Sequence, residues 1–111
     1  MKRTLAGVFL VLGLDGFGFA GAPPLVRLEM KDGVLTPQRL EVAAGQAFQL
    51  EIRNAGRAPA EFESKALKQE KVLPPGGTVT LAIRALPAGH YAFVDEFQEQ
   101  LPTARGEIVA R

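Results

Sequence analysis

Hydrophobic and polar positions alternate along most of the chain after residue 22. In "LVRLEMK", Leu25, Arg27, Glu29 and Lys31 fall on one side and Val26, Leu28 and Met30 on the other, which predicts a half-buried strand closed by the turn pair "DG". The stretch "VLTPQRLEVAAGQAFQLEIRNAG" predicts two more strands, with Leu40 and Val42 inward, a turn at Gly45, and Phe48, Leu50 and Ile52 alternating with Gln49, Glu51 and Arg53. Further strands are predicted at "AEFES", "EKVL", "TVTLAIRA", "HYAFVDEF" and "GEIVA", separated by the turn signals "PPGG" and "LPAG". Short strands at this spacing predict an all-β Greek-key sandwich. One segment departs from the pattern: "SKALKQE" is rich in helix formers and begins with Ser64 as a cap, so a single helical turn is predicted around residues 64–69.

The alternation raises a chemical question near the end of the chain. Along "YAFVDEFQEQL" the two-residue period places Tyr91, Phe93, Asp95 and Phe97 on one face. A carboxylate among aromatic rings is costly unless something neutralises, hydrogen-bonds or coordinates it.

The segment before the first strand reads differently. "MKRT", the apolar run "LAGVFLVLGL" and the small residues "GFAGA" have the three parts of a secretory signal, so residues 1–22 are expected to be removed and residues 23–111 to form one domain in the periplasm. Cleavage after Ala22 fits the small-x-small rule but leaves Pro23 first; cleavage after Ala20 is the alternative. The apolar run is short for a spanning helix, so no membrane insertion is expected once it is gone. Without Lys2, Arg3 and Asp15, the 13 basic residues become 11 and the 12 acidic residues become 11. A neutral domain with no basic stripe argues against nucleic acid as partner. With no Cys in the chain, packing alone must hold the domain together.

The order "LTPQRLEVAAGQAFQLEIRN", "APAEFES", "VLPPGGTVTLAIRALPAGHYAFVDEFQEQL" and "GEIVAR" resembles the single-domain bacterial cupredoxins. Within them it is most similar to a group with an "EFES…EKV…PPG…GxYxFxxEF" signature, found in iron-uptake systems alone or at the front of a larger periplasmic iron-binding component. The resemblance implies a cupredoxin-like sandwich, and it places the four type 1 copper-ligand positions at Ala60, Asp95, Gln98 and Leu101. None of the four holds a copper-ligating residue type. Composition reaches the same result without any alignment, because the chain has no Cys, one His and, after the leader, one Met. Blue copper needs two imidazoles and a thiolate, so type 1 copper chemistry is excluded.

Oxygen donors remain near the former copper end: Asp95, Glu96, Gln98 and Glu99, with Glu61, Glu63 and Glu70 along the chain. Such donors suit iron or another hard ion and suit monovalent copper poorly. Asp95 has two open readings, as a metal ligand or as a strand-end residue bonding loop amides. Glu61 and Glu63 flank Phe62 and point outward if it points inward, where they are solvated or form an acidic pair facing a cation. His90 follows "PAG" and is a second-tier ligand candidate. Tyr91 is expected to bond backbone through its hydroxyl. No nucleophile, base and acid occur at recognisable spacing, so no enzyme is expected. Two functions stay open: an accessory that handles iron, or copper less readily, with an iron permease or a larger periplasmic iron-binding component as partner, and a metal-free protein-interaction module.

Overall fold

The computed structural model describes residues 21–111; the expected signal, residues 1–22, falls almost wholly outside them. Nine strands form: β1 (Leu25–Lys31), β2 (Val34–Thr36), β3 (Arg39–Val42), β4 (Phe48–Asn54), β5 (Ala60–Ser64), β6 (Gln69–Leu73), β7 (Thr78–Ile83), β8 (Gly89–Asp95) and β9 (Arg105–Ala110). They make a four-stranded sheet in the order β2-β1-β4-β7 and a five-stranded sheet in the order β3-β9-β8-β5-β6. Both sheets are mixed, since β1 runs parallel to β4 and β3 parallel to β9.

The predicted alternation sets the core. Leu28, Met30, Leu50, Ile52 and Leu81 of one sheet meet Leu40, Phe62, Phe93 and Ile108 of the other in one apolar cluster. The rings of Phe62 and Phe93 lie 5.6 Å apart at 33°. Three polar side chains are buried with them, Asn54, Ser64 and Asp95. Each is satisfied by backbone, as burial of a polar group requires. Asn54 Nδ2 donates to Ala58 O and Leu73 O, at 2.9 and 3.0 Å, which ties the end of β4 to the segment leading into β5 and to β6. Ser64 Oγ donates to Ala92 O at 2.7 Å and accepts the Leu67 amide at 3.1 Å.

The Ser64 cap is therefore present, but the segment behind it is a four-residue turn, Lys65–Lys68, and not a helix. Lys68 takes φ +58°, which sends the chain back as β6 instead of continuing a helical path. Short helical pieces occur instead as 3₁₀ turns at Glu96–Gln98 and Pro102–Ala104. The first of these ends the alternation of β8. Phe93 and Asp95 point inward, whereas Phe97 leaves the face it was expected to share and stands 49% exposed.

Close packing of β9 on its neighbours leaves no room at Gly106, where a Cβ would lie 2.6 Å from Phe93 Cε1 and 2.7 Å from Gln38 O. Gly106→Ala is expected to destabilise the protein by about 1–3 kcal/mol, the usual penalty of overpacking, read as a lower urea midpoint at unchanged slope.

Candidate functional site: a carboxylate trio on the outer face of the five-stranded sheet

Strand geometry divides the acidic residues between two faces. Antiparallel pairing of β5 with β8 ends at the pair Phe62–Asp95, both facing the core. Continuing the register by one step brings Glu61 opposite Glu96, both on the outer face. On the other side of β5, Glu61 pairs with Val72 and Glu63 with Glu70, so Glu70 sits diagonally from Glu61 on the same face. Glu61, Glu70 and Glu96 are the group the fold brings together: a carboxylate oxygen from each lies within 4.8 Å of the others.

That spacing fits a hard cation. Oxygens bound to one ion at about 2.0–2.6 Å stand at most about 4–5 Å from each other. The donor set is all carboxylate, and no thiolate is available anywhere in the chain, so the arrangement fits a hard ion and excludes type 1 copper. In the absence of a cation the carboxylates repel. Glu61 is half-buried between the other two, and its pKa is pushed up to about 7, first by a hydrogen bond shared with Glu70, then by partial burial and by the charges of Glu70 and Glu96.

The other acidic and polar residues singled out in the sequence lie apart from this group. Asp95 is 2% exposed, and its Oδ1 accepts two backbone amides, Glu61 N at 3.0 Å and Phe97 N at 3.1 Å. Of its two open readings, the bonds to amides are the ones present. Gln98 and Leu101 pack over Gly33, where an added Cβ would meet Leu101 Cδ1 at 2.6 Å and the Gln98 side chain at 3.5 Å. Ala60 is buried in the core, and Gln98 and Leu101 are partly buried. Glu99 and Glu63 face a shallow groove that also bears Lys65 and Arg105, and the Glu99 carbonyl accepts from Arg105. His90 is exposed near the start of β8, its Nδ1 3.1 Å from Glu107 Oε1, within a surface row of charges that includes Arg39. The Tyr91 hydroxyl donates to Pro87 O at 2.6 Å, the backbone bond the sequence predicted.

Of the oxygen donors named from the sequence, Glu61, Glu96 and Glu70 are the three that meet. A signal for Glu70 existed. The capped turn after Ser64 sets a hairpin register in which Glu70 faces Glu63 and lies beside Glu61.

With no thiol in the chain, a type 1 copper site cannot form on this sandwich. The chain belongs to the cupredoxin-like domain family, whose family model matches residues 4–110. It is 31% identical over 84 residues to an uncharacterized protein of Rickettsia prowazekii, a match covering 76% of this chain and 66% of that protein, just under two thirds of its length. Among solved structures it is similar to auracyanin A, a blue copper protein of Chloroflexus aurantiacus, with a TM-score of 0.67 at 15% identity, covering 81% of this chain and all of the other. It is also similar to 28% of the copper-containing nitrite reductase of Thermus scotoductus, with a TM-score of 0.61 at 17% identity over 81% of this chain. At these identities the structural likeness establishes the fold alone.

The raised pKa of Glu61 gives a pH dependence of definite sign. The folded protein keeps this proton up to about pH 7, whereas the unfolded chain releases it near 4.5. The folded state therefore binds more protons between these values, and the resulting stability, complete below the unfolded pKa, is lost as pH rises through the folded one. In metal-free buffer the melting temperature should fall between pH 5 and pH 8. Glu61→Gln should flatten that fall and melt above the parent at pH 8; an equally steep fall in the variant would contradict the assignment.

Proposed function

We propose that this protein is an exported, non-catalytic carrier of a hard metal ion, with iron the expected cargo, and that Glu61, Glu70 and Glu96 hold the ion. The observation that carries this reading is the approach of three carboxylate oxygens to within 4.8 Å of one another on an open face. Like charges brought this close are costly in the empty protein and favourable around a cation. Three oxygens do not complete the shell of a hard ion, so water or a partner's donors would fill the rest. That arrangement suits loading and release. The resemblance to cupredoxins of iron uptake supports iron and, as partner, an iron permease or a larger periplasmic iron-binding component. The leader-like residues 1–22 support export to the periplasm.

A second reading has its own observation. Val72, opposite Glu61, and Phe97, next to Glu96, are 59% and 49% exposed. Large apolar side chains beside carboxylates also suit a metal-free contact in which a partner's Lys or Arg enters the trio.

Melting curves separate the two. Carrier function predicts that Mn²⁺ or Fe³⁺ at 100 times its dissociation constant stabilises the mature chain by about 2.7 kcal/mol at pH 7.5, and that Glu61→Gln or Glu70→Gln removes the shift. The interaction module predicts no shift with any metal.

A further inference from the structure

The geometry points to Asp95 as the positioning residue of the trio: its buried carboxylate ties the start of β5 to the turn after β8 and thereby holds Glu61 and Glu96 together on the opposite face. This inference rests on the reading of the trio as an ion site.

The backbone ladder cannot do this work. Pairing of β5 with β8 stops at Phe62–Asp95, so Glu96 lies one step beyond the last pair and no ladder bond holds it beside Glu61. Mutual repulsion of the carboxylates would move those two segments apart. Asp95 replaces the missing rung. Its Oδ1 accepts the Glu61 amide across the strands at 3.0 Å, and it caps the 3₁₀ turn by accepting the Phe97 amide at 3.1 Å. One oxygen thus fixes the backbone of Glu61 itself and of the residue that follows Glu96. At 2% exposure, water does not compete for these bonds. Asp95 points inward and the trio outward, so it acts through the backbone and touches no ion.

The test is calorimetric titration of Mn²⁺ into the mature chain at pH 7.5, with amide hydrogen exchange of Glu61 and Phe97 followed in parallel. Asp95→Asn keeps an acceptor oxygen and is expected to bind within about threefold of the parent, whereas Asp95→Ala is expected to bind about tenfold more weakly or worse, as loss of an orienting partner typically does. Should Asp95→Ala fail to fold, Asp95→Ser decides: its shorter side chain still caps Phe97 but does not reach the Glu61 amide, so a comparable loss with faster Glu61 exchange is expected. A folded Ala or Ser variant that binds like the parent overturns the assignment. So does a folded Asn variant that loses as much as Ala, since charge and not position would then matter. A parent that binds no Mn²⁺ removes the ion site itself, and the tie is then judged on exchange alone: unchanged protection of the Glu61 amide in Asp95→Ser overturns it.

Discussion

Neighbouring residues on a β-strand point to opposite faces, and at Asp95 and Glu96 this separates two kinds of carboxylate chemistry. Asp95 enters the space between the sheets, where an ionised group persists only with donors around it, and there it finds the amides of Glu61 and Phe97. Glu96 leaves on the outer face, where solvent tolerates charge and where Glu61 and Glu70 already stand. The core carboxylate organises the backbone from which the surface carboxylates project. The two acidic features of the chain are therefore the two sides of one strand end.

The positions at which the resemblance places copper ligands are held by packing and backbone hydrogen bonds: Ala60 is buried, Asp95 accepts two amides, and Gln98 and Leu101 pack over Gly33. Asn54 does the same for the loop that leads from β4 towards β5, which it ties to β6. Asn54 and Asp95 thus organise one end of the sandwich, and Ser64 ties the far end of β5 to β8.

Electrostatics then shifts attention to the outer face. Part of that face carries paired charges: Arg111 with Glu41, Arg39 with Glu41, and Glu107 with both Arg39 and His90. The trio breaks this alternation of sign. A hydrogen bond shared with Glu70, then partial burial and the charges of Glu70 and Glu96, raise the pKa of Glu61 at its centre.

Eight of the nine strands among the described residues, most of the inward set and the absence of the type 1 copper ligands were determined by the chain itself, because a period of two and a count of Cys and His are local quantities; β2 was not among the predicted strands. The Ser64 cap was also legible, but not its outcome as a turn, since the positive φ at Lys68 answers to the pairing of β5 with β6. The meeting of residues 61, 70 and 96 was out of reach for a similar reason: they become neighbours only through the registers of two strand pairs. Phe97 was placed inward by extending a period past the point where Asp95 turns the chain. Tertiary structure alone decided which carboxylates meet, because contact between distant residues depends on register, and register is set by the packing of the whole sandwich.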